Sequence, residues 1–377
     1  MKKHQHSKRN KGRKQFLTIL IAIFTLLSIS YGVAAAATKS LTLGSGDNAT
    51  VTCSGNRLSI NSQQRTSLTL NCTGTTPTTT PPPPTTTPTT SPPPTTTPTT
   101  TPPPPPPGHW YAPPMVAEWQ WEIDHPLNTS NTTDMGTGLT AWNGNTAPAT
   151  NPSIYDIDGI DNPASTVTAL HAMGKHAICY IEVGTAGNYY SAADEGIPTT
   201  YYAQFQAAGV LGNKLSGYPE KFLNITSNTT VSIMESMIKQ QCINKGFDAV
   251  ETDLDETYSG SDGSTGFIIS QAAEQSYLTT LATYMHANGL GWIAKNLDDT
   301  GDNFATLMQP MADGIISEQC SQYGSCGALS TFTSNSKWIG EAEYQMSLSS
   351  FCPSSNAANR NAVLFPVLLN GSRQPCR

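Results

Sequence analysis

Short apolar runs alternate with longer amphipathic segments from Gly108 to the C-terminus. This alternation is typical of repeated βα units, whose strands form a parallel sheet. The apolar runs predict strands over Trp119–Asp124, Ser153–Asp158, His176–Glu182, Phe247–Asp253, Gly291–Asn296, Gly314–Glu318, Trp338–Glu343 and Ala362–Leu369. The clearest helices are predicted over Ala164–Met173, Thr230–Lys245 and Ile269–Asn288. Eight strands in about 270 residues predict an α/β fold, a (β/α)8 TIM barrel over residues 108–377.

One connection is much longer than the others. Residues Gly184–Ser227 follow the third predicted strand, and Tyr, Gly and Pro recur through them. Because a long insertion after the carboxyl end of a barrel strand lies over the active face, we expect this segment to cover the site.

The N-terminus has the layout of a secretory signal peptide. Residues 2–14 hold seven Lys and Arg, Phe16–Val33 is apolar, and four alanines follow at residues 34–37. A basic region, an apolar region and small residues at a cleavage site predict a signal over residues 1–37 and a secreted, extracellular protein. The alternative is an uncleaved anchor, because the apolar run approaches the roughly 20 residues that span a bilayer. This anchor is the only membrane contact we expect.

Two further segments precede the barrel. Apolar and polar residues alternate over residues 38–74, which predicts a small β module with one disulfide. Residues 75–107 are almost entirely Thr and Pro, so they predict a linker in extended polyproline II conformation.

All eight cysteines lie beyond the signal, where export permits disulfides. None shows C-x-x-C spacing, which argues against a structural zinc site. The natural local pairs are Cys53 with Cys72 and Cys320 with Cys326, and Cys179 with Cys242 and Cys352 with Cys376 would complete the set. Spacing alone leaves the connectivity open.

Removal of the signal leaves 13 basic and 27 acidic residues, a formal net charge of −14. This charge argues against nucleic acid as a partner. An acidic cleft would concentrate a positively charged substrate, although solubility alone also explains the charge.

Acidic residues cluster at the predicted strand ends, where barrel enzymes hold their catalytic residues. They are Asp124, Asp156, Asp158, Glu182, Glu251, Asp253, Asp255, Glu318, Glu341 and Glu343. Period-two alternation puts Glu251, Asp253 and, if the strand continues, Asp255 on one face. When carboxylates lie this close together, their mutual repulsion raises the pKa of at least one of them, which keeps a proton available for donation. A structural, hydrogen-bonded cluster is the alternative.

Other polar and aromatic residues lie near the same ends. Glu318 precedes a small loop that Cys320 and Cys326 could close, and Lys295-Asn296 could bind sugar hydroxyls, orient a carboxylate or pair with an acid for stability. Flat rings beside carboxylates suit stacking on sugars, although barrel core is the alternative for each ring. These aromatic residues are Trp119, Trp121, Tyr180, Tyr258, Tyr323 and Tyr344.

Other chemistries fit less well. The sequence has no Gly-rich phosphate loop, no H-E-x-x-H and no G-x-S-x-G, and its histidines do not form a ligand cluster. We therefore expect neither a metal nor an organic cofactor.

The motifs occur in an order that resembles glycoside hydrolase family 114. They are Trp119-Gln-Trp-Glu-Ile-Asp124, Ile178-Cys-Tyr-Ile181, Gly246-Phe-Asp-Ala-Val-Glu-Thr-Asp253, Ala294-Lys-Asn296, Glu318-Gln-Cys320 and Glu343-Tyr344. The resemblance covers Trp110 to the C-terminus. It implies a (β/α)8 barrel, endo-α-1,4-polygalactosaminidase activity, and Asp253 and Glu318 as the catalytic pair.

The implied substrate is an amino-sugar polysaccharide with deacetylated, cationic galactosamine, and we expect a monomer. Glu251 and Asp255 would tune the pKa of the pair or grip the substrate amine. The remaining predicted substrate-binding residues are Asp124, Asp156, Tyr180, Trp119, Trp121, Lys295, Asn296, Glu343 and Tyr344.

We assign Asp253 as nucleophile or base and Glu318 as acid, although these roles could be exchanged. The distance between the two groups decides between retention and inversion. Two rival functions use the same barrel face: non-catalytic polysaccharide binding or adhesion, and hydrolysis with Mg²⁺ or Ca²⁺ held by the acid cluster.

Overall fold

The computed structural model describes residues 110–142, 149–260 and 262–377 in full. It also describes the backbone of four N-terminal strands, Thr38–Leu43, Asn48–Cys53, Asn56–Asn61 and Thr66–Asn71. The first of these strands pairs antiparallel with the fourth, and the second with the third. The predicted signal at 1–37 and the linker at 75–107 lie outside the described residues. The division into signal, β module, linker and barrel therefore stays a prediction.

The C-terminal part is an α/β fold built on one curled sheet. Eight parallel strands follow one another in chain order: β1 Trp119–Glu122, β2 Ile154–Asp158, β3 His176–Glu182, β4 Ala249–Asp253, β5 Gly291–Lys295, β6 Gly314–Glu318, β7 Trp338–Glu343 and β8 Asn361–Leu364. All eight predicted strands are thus present. The last is shorter than predicted, because the chain turns after Leu364 and returns as the antiparallel strand Gln374–Pro375.

Apolar residues cover both faces of this sheet, as parallel sheets require. Inner-face residues form one core, which contains Trp119, Ile178, Ala249, Ile293, Ile316, Trp338 and Val363. Outer-face residues pack under the helices in a second core, which contains Tyr155, Cys179, Val250, Trp292, Ile315 and Ile339. Strands β2 to β7 therefore contribute alternate residues to the two cores.

The first and last parallel strands approach each other. The Trp119 indole donates a hydrogen bond of 2.8 Å to the backbone oxygen of Asn361, and the Asn361 side chain accepts one of 3.1 Å from the Ala117 backbone. An isolated β-bridge also joins Glu122 to Asn370. These contacts curl the sheet, so the carboxyl ends of its strands surround one site.

Helices connect most of the strands. They are α1 Ala164–Ala172, α2 Ala192–Glu195, α3 Tyr201–Ala207, α4 Asn228–Ile238, α5 Gln271–Ala287, α6 Phe304–Met308, α7 Cys320–Tyr323, α8 Ser330–Thr333 and α9 Leu348–Ala357. A π-helical turn, Lys239–Ile243, extends α4, and 3₁₀ turns occupy Thr257–Ser259 and Cys326–Leu329. The three predicted helices correspond to α1, α4 with its π turn, and α5. The segment after β1 contains turns where a regular βα unit has a helix.

The long connection after β3 is an insertion with its own structure. Strands Thr185–Ala186, Lys221–Leu223 and Leu211–Lys214 form a small antiparallel sheet, and α2 and α3 lie between its strands in the chain. Because the insertion begins where β3 ends, it lies at the carboxyl end of the parallel strands, as predicted.

Three disulfides join Cys179 to Cys242, Cys320 to Cys326 and Cys352 to Cys376. These pairs match the prediction. The fourth predicted pair involves Cys72, which lies outside the described residues. Within the part of the chain that the structure describes, no helix is both long and apolar enough to cross a bilayer.

Candidate active site

Three neighbouring strands, β4, β5 and β6, end in Asp253, Lys295 and Glu318. Because β5 lies between the other two strands, its lysine stands between their acids. Lys295 Nζ is 3.2 Å from Asp253 Oδ1 and 3.4 Å from Glu318 Oε2. The structure therefore brings together the two predicted catalytic residues around one ammonium group.

Lys295 has no exposed surface, yet it is charged. Its Nζ also lies 3.0 Å from Glu251 Oε1 and 4.5 Å from the centre of the Trp121 ring. Burial alone would lower the pKa of this ammonium, but the carboxylates of Asp253, Glu251 and Glu318 raise the pKa well above its usual value. Lys295 thus supplies a fixed positive charge.

A tyrosine hydroxyl holds each of the two acids. The Tyr180 hydroxyl donates to Asp253 Oδ2 at 2.7 Å, and the Tyr344 hydroxyl donates to Glu318 Oε1. Asn296 also orients Glu318: its side-chain amide donates to Oε2 at 3.3 Å, and its side-chain oxygen accepts from the Glu318 backbone at 2.9 Å. Tyr180, Asn296 and Tyr344 therefore position the carboxylates in this structure.

The chain turns sharply after each of the three strand ends. Leu254, Asn296 and Gln319, the residues that directly follow, have φ angles of 62°, 52° and 58°. Asn tolerates this left-handed conformation, whereas Leu and Gln rarely adopt it, and such residues cost about 1–3 kcal/mol each. Strain of this kind is common at functional sites.

The turn at Leu254 removes Asp255 from the predicted acid face. Asp255 Oδ2 accepts hydrogen bonds from the Thr252 hydroxyl at 2.8 Å and from the Lys295 backbone at 3.0 Å. Because Thr252 lies on the opposite face of β4 from Asp253, the expected alignment of three acids is wrong. Asp255 ties β4 to β5, and it is fully buried away from any substrate.

Two acids lie beneath Asp253 and Glu318. Asp156 of β2 and Glu251 of β4 have no exposed surface. Burial, followed by the charge of Glu251, raises the pKa of Asp156 well above its usual value. Asp156 lies fully buried beside Glu251, so it has no surface for the predicted contact with a sugar and instead supports the site from below.

The two predicted tryptophans are core residues. Trp119 is fully buried, and its ring packs against Trp121, Trp338 and Phe365. Trp121 is equally buried and lies under the Lys295 ammonium. Neither ring has exposed surface on which a sugar could stack, so that prediction is wrong. Trp121 instead packs against the Lys295 ammonium.

Glu343 was predicted to bind substrate, but it lies on the outer face of β7, away from the site. Its Oε1 accepts a hydrogen bond of 2.8 Å from the Ser321 backbone, and burial followed by the charge of Glu341 raises its pKa to about 8. Tyr344, the next residue, points to the other face and reaches Glu318. Only Tyr344 of this pair belongs to the site.

We predict that Glu343→Gln stabilises the protein at alkaline pH without affecting catalysis. The wild-type carboxyl has a folded-state pKa of about 8 against an ordinary value of 4.5, so its contribution to stability is complete below pH 4.5 and is lost as the pH rises towards 8. Glutamine does not titrate. Thermal unfolding should show equal stability at pH 4.5 and a gain of about 3–5 kcal/mol for the variant at pH 8.5. A difference that does not change with pH would refute this account.

Asp124 lies beyond the end of β1 in a separate polar group. Its backbone donates to Glu122 Oε1 at 3.2 Å, and its carboxylate is 4.0 Å from His125 Nδ1. Among the described residues, Glu122, His125 and Asp134 could together hold a metal ion. However, His125 Nδ1 faces Glu122 at 3.1 Å while Nε2 faces Asp134 at 3.4 Å, so the ring bridges two acids through opposite nitrogens. This geometry suits a bridging imidazole better than a metal ligand.

Two tyrosines of the insertion were missed by the sequence analysis. The Tyr189 hydroxyl donates to Glu182 Oε1 at 2.5 Å, and the Tyr190 hydroxyl donates to Asp158 Oδ2 at 2.8 Å. The recurring tyrosines of the insertion, together with acids at the ends of β2 and β3, were the signal that could have identified them.

Comparisons with known proteins show which family the chain resembles. The sequence model of glycoside-hydrolase family GH114 matches residues 99–377. The crystal structure of Ega3 from Aspergillus fumigatus in complex with galactosamine is similar, with 25% identity, a TM-score of 0.57 and coverage of 71% of this chain and 98% of that one. The glycoside hydrolase domain of PelA from Pseudomonas aeruginosa matches at 9% identity and a TM-score of 0.46, covering 68% of this chain and 96% of that domain. A comparison with curated proteins finds no match.

Proposed function

The chain belongs to glycoside hydrolase family GH114, and from this premise we propose that it cuts α-1,4 linkages within galactosamine-containing polysaccharide. The observation that carries the proposal is the pair of carboxylates, Asp253 and Glu318, held on either side of Lys295 at the strand ends. Glycoside hydrolases use two such carboxyl groups, one on either side of the bond that is cleaved. The similar Ega3 structure contains galactosamine, which supports an amino-sugar substrate.

The spacing of the two acids favours retention of configuration. Both contact the same Nζ, so the oxygens that face it cannot be farther apart than the sum of the two contacts, 3.2 Å and 3.4 Å. That limit applies to the two facing oxygens and is reached only if the three atoms are collinear, and it lies at the lower edge of the roughly 6.5–9.5 Å that separate the carboxyl groups of inverting enzymes. Any bend at Nζ brings the acids towards the about 5–5.5 Å of retaining enzymes.

In this mechanism Glu318 protonates the glycosidic oxygen as the bond to the anomeric carbon breaks, and Asp253 attacks that carbon. A covalent glycosyl-enzyme forms and the shortened chain leaves. Water, deprotonated by Glu318, then attacks the same carbon, which releases the sugar and restores Asp253. The ammonium of Lys295 favours the ionised carboxylate that the nucleophile needs, and Tyr180 holds it in place.

The setting of the enzyme follows from the same proposal. The catalytic domain is a closed (β/α)8 barrel, which the hydrogen bonds from Ala117 and Trp119 to Asn361 support. The protein is a secreted monomer that acts outside the cell, and three disulfides are consistent with an oxidising compartment. Its acidic charge favours a cationic polymer.

We predict that the first product of cleavage carries the α configuration. Proton NMR of a fresh digest of an α-1,4-linked galactosamine oligosaccharide should show the α-anomer before mutarotation produces the β-anomer. Internal cleavage should give several oligosaccharide lengths from the start of the digest. Initial appearance of the β-anomer would contradict retention, and release of single sugars alone would contradict endo action.

A further inference from the structure

A disulfide closes the turn that follows Glu318. Cys320 begins α7 two residues after Glu318, and its sulfur is bonded to that of Cys326, at a sequence separation of 6. We call residues 320–326 the disulfide loop. Gln319, the single residue between Glu318 and this loop, has a left-handed backbone with a φ angle of 58°. Because such a backbone persists only where the surrounding structure holds it, the disulfide loop bears directly on the position of Glu318.

Hydrogen bonds hold the disulfide loop against β7 and against the segment after β5. The Ser321 backbone donates to Glu343 Oε1 at 2.8 Å, and the Ser321 hydroxyl donates to Glu341 Oε1 at 2.7 Å. The Ser325 hydroxyl donates to Asp298 Oδ2 at 2.6 Å. Both serines lie between the two bonded cysteines in the chain. The disulfide therefore limits how far each serine can move from its acceptor.

This disulfide differs from the other two in its access to solvent. Of the six cysteines whose disulfides the structure describes, five have no exposed surface: Cys179, Cys242, Cys320, Cys352 and Cys376. The sixth, Cys326, is partly exposed. Thiol–disulfide exchange begins with attack of a thiolate on one sulfur, so access decides which bond opens first. A thiol in solution would therefore reach the bond beside Glu318 before it reaches the other two.

The disulfide loop is also the shortest loop that these three bonds close. The sequence separations of the other two pairs are 63 and 24, against 6 here. A disulfide stabilises a protein mainly by restricting the unfolded chain, and this restriction grows with the length of the closed loop. Opening the short loop should therefore affect global stability least, so the turn after Glu318 can be released while the barrel stays folded.

We propose that the Cys320–Cys326 disulfide positions Glu318 for proton donation, and that reduction of this bond by a small dithiol switches hydrolysis off in a folded protein. A thiolate of the dithiol attacks Cys326 Sγ, the bond between the cysteines breaks, and Cys320 leaves with the electron pair and takes up a proton. The second thiol of the reagent then displaces Cys326 as a thiol and closes the cyclic disulfide of the reagent. The protein gains two electrons and two protons, which the dithiol loses. This inference rests on the proposed function, in which Glu318 is the acid.

The test reduces the oxidised full-length protein stepwise with dithiothreitol. Alkylation of free thiols and peptide mass spectrometry identify which bond opens, and hydrolysis of an α-1,4-galactosamine oligosaccharide gives the activity. Cys320 and Cys326 should be labelled before the cysteines of the other two described disulfides. As they are labelled, kcat should fall by about 10- to 100-fold with little change in KM, because a small misplacement of a reacting group has an effect of this size. Oxidised dithiothreitol in excess should restore kcat.

An aryl glycoside separates loss of the acid from general damage. Its good leaving group needs no proton, so the reduced enzyme should still form the glycosyl-enzyme as fast as the oxidised enzyme. The double variant Cys320→Ala/Cys326→Ala should show the same low kcat on the oligosaccharide, no further response to dithiothreitol, and a melting temperature close to that of the wild type. The matched control is Cys352→Ala/Cys376→Ala, which removes the bond between α9 and the C-terminal segment and should keep the wild-type kcat.

The wild-type titration needs no variant to fold, so it decides the question by itself. Earlier labelling of either of the other two described pairs, or an unchanged kcat once Cys320 and Cys326 are labelled, overturns the switch alone. Equal losses on the oligosaccharide and the aryl glycoside also overturn it, because they show damage to the whole site. Absence of cleavage by the oxidised wild type overturns the proposed function, and the positioning role with it.

Discussion

Replacement of Lys295 by methionine is expected to lower activity by about 10²- to 10³-fold and to destabilise the fold by about 3–5 kcal/mol. The substitution leaves Glu251, Asp253 and Glu318 around a neutral side chain of similar length, although their oxygens lie 3.0, 3.2 and 3.4 Å from Nζ in the wild type. Removal of one partner from a buried ion pair leaves uncompensated buried charge, which is the origin of the large effect on stability.

The loss of stability should depend on pH. Without the ammonium, the buried acids bind protons more tightly in the folded than in the unfolded state, so the variant should be least stable at high pH and recover as the pH falls. Urea unfolding at pH 5 and pH 8 measures this directly. Lys239→Met, at an exposed position, serves as the matched control. A Lys295→Met variant within 1 kcal/mol of the wild type at both pH values would show that the ammonium does not organise the site, since loss of one partner from a buried ion pair costs about 3–5 kcal/mol.

The larger effect is expected for the two carboxylates themselves. Asp253→Asn should lower kcat by at least about 10⁴-fold on every substrate, because it removes the proposed nucleophile. Glu318→Gln should lower kcat by about 10²- to 10⁴-fold on the natural polymer, whose leaving group needs a proton. On an aryl glycoside with a good leaving group, Glu318→Gln should keep a rapid first step and accumulate the glycosyl-enzyme.

This comparison assigns the roles as well as the residues. Burst kinetics with the aryl glycoside separate the first step from the second, and mass spectrometry detects the covalent intermediate. Glu235→Gln, a matched loss of one carboxylate on α4, should behave as the wild type. If Asp253→Asn retains the burst and Glu318→Gln loses it, the two roles are exchanged.

The strands were predictable because each is a short apolar run bounded by polar residues. The predicted start or end of several strands was off by a few residues, as at β8, where the chain turns after Leu364. The proximity of Asp253 and Glu318 was also predictable, since each is the last residue of its strand; their selection as the catalytic pair rests on the family resemblance and stays a prediction. Parallel strands place such residues at one edge of the sheet whatever lies between them in sequence.

The predictions were wrong at residues where a local change of backbone conformation, or the face of the sheet on which the side chain lies, decides whether that side chain points into the site. Period-two alternation predicted Asp255 on the catalytic face, but the left-handed Leu254 breaks the alternation. Glu343 and Tyr344 lie on opposite faces of the sheet, with Glu343 on the outer face and Tyr344 on the inner face. A run of apolar residues shows where a strand lies, but it does not show which of its residues face inward.

The residues that sequence analysis missed act through nonlocal pairing. Tyr190 reaches Asp158 from a different part of the chain, and Tyr189 reaches Glu182 only because Gly187 gives its ring room. Nothing in the order of residues states which tyrosine meets which acid. The dual role of Lys295, as partner of three acids and neighbour of Trp121, likewise depends on the order of strands in the sheet.

The most direct test of the proposed function is digestion of partly deacetylated α-1,4-galactosaminogalactan by the purified full-length protein, with mass spectrometry of the soluble products. Asp253→Asn and Glu318→Gln, each verified to melt as a folded protein, are digested in parallel. We predict a ladder of oligosaccharides from the wild type and none from either variant. A wild type that binds the polymer but releases no oligosaccharide would contradict hydrolysis and establish a polysaccharide-binding protein in its place.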